Sequence, residues 1–186
     1  MSSVRKNITR LVFVALFAAL ISAGAFITVP FGPVPIILQN FFTLLSGLVL
    51  GPFWGVAAVA LFIAAGAIGL PVFANNGSPM GIARIIGPTG GYLAGYLLGA
   101  LVAGCIAGFL RQESVAAWRI ALAAAAGVLV VYLPGLAWLK ITLDLDWKET
   151  LIIGFIPFIG GDALKGTAAA LLTPRLRKSA RRLLAQ

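Results

Sequence analysis

Six long apolar stretches, at about residues 8–28, 36–51, 53–71, 88–110, 117–140 and 150–173, divide this chain, parted from one another by Gly, Pro or charge. A membrane-crossing helix takes roughly 20 apolar residues, so six of them occupy about 120 positions. In a chain of 186 residues, that leaves enough for termini, turns and one or two functional loops. Seven crossings would leave almost no loop, and a twelve-helix carrier or an appended ATPase domain does not fit. Only 10% of the residues are charged, against roughly 25% in an ordinary soluble domain. The expectation is an all-α integral membrane protein, one six-helix domain over residues 1–186. The first segment has the flanking charge of a signal peptide, yet it is too long and lacks a small-residue cleavage site, so it is read as a helix.

The net charge of +9 does not point to nucleic acid, because the cations sit in short clusters beside apolar segments rather than on one folded face. They give the topology instead. Arg5, Lys6, Arg10, Arg111, Arg119, Arg175, Arg177, Lys178, Arg181 and Arg182 fall on one side of a six-helix arrangement, and only Arg84, Lys140 and Lys148 on the other. The positive-inside rule then puts both termini in the cytoplasm, which requires an even number of helices.

Several kinds of chemistry are absent from the composition. The chain has one cysteine, Cys105, and no histidine, so disulfide frameworks and the usual zinc, haem and iron–sulfur ligand sets are missing. No Ser-His or Cys-His pair exists for nucleophilic catalysis. No G-x-x-x-x-G-K-[ST] loop occurs either, so the chain cannot drive transport with its own ATP.

Polar groups within the apolar segments are the informative exceptions. The sixth segment contains Gly160-Gly161-Asp162-Ala163-Leu164-Lys165-Gly166. A charge at the centre of a membrane helix costs about 2.5–3.5 kcal/mol on insertion scales, and i,i+3 spacing puts both on one face. The pair can serve a solute, lock helix packing as an internal ion pair, or relay protons through Asp162. Gly87-Pro88-Thr89-Gly90-Gly91-Tyr92 opens the fourth segment, where exposed NH groups at a helix N-terminus can hold a carboxylate. Arg84 beside it strengthens that reading, with snorkelling to lipid phosphate as the alternative. Gly87, Gly91, Gly95 and Gly99 also form a smooth ridge for close helix contact. Ala15, Ala19 and Ala23 make a similar ridge on the first helix, directed either into the bundle or at another protein. The proline-rich residues 28–35 and the run 71–87, with Asn75 and Asn76, are expected to fold over a site near the outer face. Trp54, Trp118, Trp138 and Trp147 lie near segment ends, as in an interfacial belt.

Four runs resemble the signatures of the BioY family, the biotin-specific S components of energy-coupling factor (ECF) transporters: residues 32–39 (GPVPIILQ), 66–73 (GAIGLPVF), 87–92 (GPTGGY) and 157–165 (PFIGGDALK). The resemblance implies a six-helix protein of a prokaryotic cell membrane that captures biotin from outside. Its partners would be a transmembrane coupling protein and two cytoplasmic ATPases, with no cofactor of its own and ATP used only by the partners. Carried over, it implies that Asp162 and Lys165 are directed at the ligand and that the loop before Gln39 closes over it. Asn75, Asn76 and Arg84 would supply amide and guanidinium contacts, with Gly90, Gly91 and Tyr92 at the head of the fourth helix. Ala15, Ala19 and Ala23 would dock the coupling protein. The contrasting expectation is a stand-alone, proton-coupled carrier for a small anionic solute.

Overall fold

The computed structural model describes residues 3–29, 36–73, 80–110 and 115–185. Its elements are α1 (Ser3–Phe26), β1 (Thr28–Val29), β2 (Ile36–Ile37), α2 (Gln39–Leu50), α3 (Pro52–Ala67), α4 (Ile82–Ile86), α5 (Gly90–Ala107), α6 (Ala117–Leu143), α7 (Trp147–Gly154) and α8 (Ile156–Ala185). All six apolar stretches are helical. By length and apolarity α1, α5 and α6 can each cross a membrane, and the bent pair of α7 and α8 makes a fourth candidate; α2 and α3 are shorter apolar helices.

The helix ends differ by a few residues from the sequence reading, and some differences are larger. Residues 36 and 37 are not the start of a helix; they pair antiparallel with residues 28 and 29, Thr28 opposite Ile37 and Val29 opposite Ile36. The expected helix at 150–173 is two helices, α7 and α8, meeting at a 44° bend around Phe155. Pro157 provides no N–H to bond the Ile153 carbonyl, which accounts for the break in the helical ladder. In the other direction α8 runs on to Ala185, so the cationic tail is helical. A short helix, α4, also stands within the expected loop 71–87.

The core is organised around α2. It packs against α1, α3, α5, α6 and α8, and Thr43 through Leu50 are all buried. Its junction with α3 is the single residue Gly51, held at φ 84, with Pro52 opening the next helix. A positive φ there is open to glycine at no steric cost, and proline at the first helical position forgoes an N–H that has no partner anyway. The glycine ridge of α5 serves packing: a Cβ at Gly91, Gly95 or Gly99 would run into the backbone of α6 at Pro134, Val131 or Gly127. At the far end, Arg177 of α8 is 3% exposed. Its guanidinium donates to the carbonyls of Leu48, Ala107 and Gly108, so one side chain satisfies the ends of both α2 and α5.

Candidate functional site

A cavity of about 610 Å³, its mouth included, lies where the N-terminal ends of α2 and α5 meet α6 and α8. Its polar lining comes from Gln39 and Asn40 of α2, Arg84 of α4, Thr89, Tyr92 and Tyr96 around the start of α5, Tyr132 of α6, and Asp162 and Lys165 of α8. Ile37, Phe73, Leu93, Val131 and Phe158 give it apolar walls.

Asp162 is the hub. Its Oδ1 accepts from Lys165 Nζ at 3.0 Å and Asn40 Nδ2 at 2.7 Å, and its Oδ2 accepts from Tyr132 Oη at 2.5 Å. The carboxylate is 7% exposed, so the three donors replace the water it lost. Lys165 also donates to the Ile37 carbonyl at 2.7 Å, tying α8 to the strand that precedes α2. Two buried amide atoms in this wall, Gln39 Nε2 and Asn40 Oδ1, have no hydrogen-bond partner among the described residues. They are a donor and an acceptor on adjacent residues. Such atoms each cost about 1–3 kcal/mol when left unmade.

Arg84 is 9% exposed and lines the cavity, which sets aside the snorkelling alternative. Burial pulls its guanidinium below the ordinary arginine range, with Tyr96 acting in the opposite direction. A desolvated cation of this kind favours an anionic neighbour. The Tyr92 ring is in the wall while its hydroxyl donates to the Gly154 carbonyl at 2.8 Å, holding the end of α7.

Gly90 and Gly91 are not in the lining. A Cβ at Gly90 would meet the Ile85 carbonyl and one at Gly91 the Pro134 carbonyl, so the two glycines permit close approach of α4 and α6 rather than contact with a solute. Asn75 and Asn76 lie outside the described residues. Ala15, Ala19 and Ala23 are exposed along α1, whereas Val14, Phe17, Ala18 and Ile21 are buried. Of the two directions open to that ridge, it faces away from the bundle.

Sequence reasoning missed Asn40, Tyr96 and Tyr132. Asn40 was legible as a second amide within an apolar segment. Tyr96 stands one helical turn beyond Tyr92, on the same face. Tyr132 lies in mid-segment, away from an interfacial belt, where a phenol needs a buried partner.

The fold is that of a multi-pass membrane protein, with a cavity that mixes an ion pair, amides and a buried guanidinium with aliphatic and aromatic walls. The chain belongs to the BioY family, whose model matches residues 1–182. It is 43% identical over 170 residues to the biotin transporter BioY of Thermotoga maritima, covering 91% of this chain and 96% of that protein. To the probable biotin transporter BioY of Pyrococcus horikoshii it is 42% identical over 164 residues, covering 88% and 93%. A crystal structure of the S-component for biotin from an ECF-type ABC transporter superposes with a TM-score of 0.84 at 32% identity, covering 96% of this chain and 95% of that one.

Proposed function

We infer that the chain is the biotin-capturing S component of an ECF-type ABC transporter. It performs no covalent chemistry. The observation that carries this reading is the pair of unmatched amide atoms, Gln39 Nε2 and Asn40 Oδ1, beside the Asp162–Lys165 pair and in the same cavity as Arg84. Biotin has a ureido ring with one carbonyl and two N–H groups, an apolar thiophane and valerate body, and a terminal carboxylate. In the proposed pose Gln39 Nε2 and Lys165 donate to the ureido carbonyl, while Asn40 Oδ1 and Asp162 accept from its N–H groups. Phe73, Leu93, Val131 and Phe158 line the body, and Arg84 receives the carboxylate.

The proposed topology is a single domain with six crossings and both termini in the cytoplasm of a prokaryotic cell. Six helical segments support it, as does the charge bias, and Lys6 near one end of the chain shares a groove with Arg181 near the other. The proposed partners are a transmembrane coupling protein, met through the exposed Ala15, Ala19 and Ala23, and two ATPases. Backbones approach closely along such a ridge. Calorimetric titration of the purified protein with biotin, riboflavin and thiamine tests the reading: saturable heat with biotin alone is expected, and heat with another vitamin instead of biotin overturns it. Uptake that follows ATP and survives an uncoupler separates this function from a proton-driven carrier.

A further inference from the structure

A second concave surface lies far along the helices from the biotin cavity, beneath the α2–α3 junction, spanning about 1950 Å³ with its open mouth included. Lys6 and Arg10 of α1 and Arg181 of α8 line it together with Phe53, Trp54 and Phe109. Arg10 is aimed inward: its guanidinium carbon is 5.6 Å from the centre of the Trp54 ring. Phe53 and Phe109 pair at 6.0 Å yet remain 70% and 53% exposed, an apolar surface at the foot of a cationic rim. None of the described carboxylates lines the groove; Asp144, Asp146 and Glu149 flank the α6–α7 junction, and Asp162 is in the biotin cavity.

We propose that this groove is a binding site for one anionic phospholipid, its headgroup phosphate held by Lys6, Arg10 and Arg181 and its acyl chain laid along Phe53 and Phe109. Charge complementarity chooses the occupant. A zwitterionic lipid carries its own ammonium to the same rim and gains little there, whereas an anionic headgroup meets three cations, each of which adds attraction near a membrane surface. The aromatic floor suits a chain rather than a free phosphate ion, which would leave Phe53 and Phe109 bare.

The test uses the full-length protein reconstituted into vesicles in which a brominated phosphatidylglycerol or a brominated phosphatidylcholine is the quencher. The Trp54 signal is the difference between the wild type and Trp54→Phe. Half-quenching at a several-fold lower mole fraction of the glycerol lipid is expected, with the preference reduced in Arg10→Gln and in Lys6→Gln with Arg181→Gln, and lost when all three are combined. Biotin affinity stays at the wild-type level in both variants, which shows that they are folded. Equal quenching by the two lipids overturns the proposal. So does a preference that survives all three substitutions. If the lipids quench equally while the substitutions abolish co-purification with the coupling protein or ATPases, the groove is a protein interface and the lipid site is refuted.

Discussion

Neutralising Asp162 separates what the ion pair does for the fold from what it does for the ligand. At 3.0 Å, with the side chains 15% and 10% exposed, the attraction is about 5 kcal/mol at an effective dielectric near 20. Breaking such a pair from one side costs about 3–5 kcal/mol, because the remaining charge stays buried and unmatched. In Asp162→Asn the amide oxygen still accepts from Lys165 and Asn40, and the new NH2 can donate to the Tyr132 oxygen, so the loss is mainly charge. The expected result is a melting temperature lower by about 10 °C, taking roughly 2–4 °C per kcal/mol for a chain of this size, and biotin affinity at least a hundredfold weaker. Adding Lys165→Met removes the stranded ammonium. Replacing both members of a buried pair by neutral groups is often close to neutral for stability, so the double variant should recover most of the melting temperature. It falls short by about 1 kcal/mol, because the Ile37 carbonyl loses its donor. Biotin affinity should remain lost. Thermal unfolding and calorimetric titration on the four proteins complete the cycle. A double variant that binds biotin within threefold of wild type would refute the assignment of the pair to the ligand.

Further perturbations probe other parts of the structure. Biotin methyl ester should bind at least tenfold more weakly than biotin, and Arg84→Gln should weaken biotin to a similar degree while leaving the ester unchanged, as a charge-assisted contact of about 1.5–3 kcal/mol requires; competition titration reads both, and equal affinities of acid and ester exclude Arg84 as the carboxylate site. Ala19→Trp should leave biotin affinity intact and abolish co-purification with the coupling protein and ATP-dependent uptake; joint loss of biotin binding would contradict the outward ridge. Gly95→Val should destabilise by about 1–3 kcal/mol through collision with the Val131 backbone, seen as a lower melting temperature. Arg177→Ala should cost about 3 kcal/mol or more by stripping three carbonyls of their donor, and Arg177→Lys should recover only part, since an ammonium is a compact point charge without the planar fork.

The helical segments, the Asp162–Lys165 pair and the packing role of the α5 glycines were legible because each rests on a local rule: apolar length, the cost of charge in lipid, and spacing by four. What stayed hidden depends on which distant groups meet. Asn40 and Tyr132 are 122 and 30 positions from Asp162, and no periodicity relates them to it. The same holds for Lys165, whose second acceptor is a backbone carbonyl 128 positions away. Gly90 and Gly91 show the reverse error. A helix N-terminus with bare NH groups reads as an anion site in sequence, whereas the structure places the two glycines outside the cavity lining and close against Ile85 and Pro134. Spacing alone left the direction of Ala15, Ala19 and Ala23 open, because an alanine ridge has the same spacing whether it faces a neighbour in the same chain or another protein; only the family resemblance pointed outward.

The encirclement of α2 bears on how the protein is made. A helix of 12 residues is about 18 Å long, well short of the roughly 30 Å hydrocarbon layer, and it carries Gln39, Asn40, Thr43 and Ser46. Such a segment is poorly suited to leave the insertion machinery alone. Joined to α3 through Gly51 only, it can enter as the inner arm of a helical hairpin, its polar groups shielded first by α1 and α3. The walls supplied by α5, α6 and α8 are synthesised later, and Arg177, which fastens α8 to the end of α2, comes 129 positions after its Leu48 acceptor. Until that residue has been translated, the inner helix lies open on one side. Quality-control proteases of the membrane therefore have a window onto α2 in any chain stalled before α8, and synthesis of α8 is what closes it.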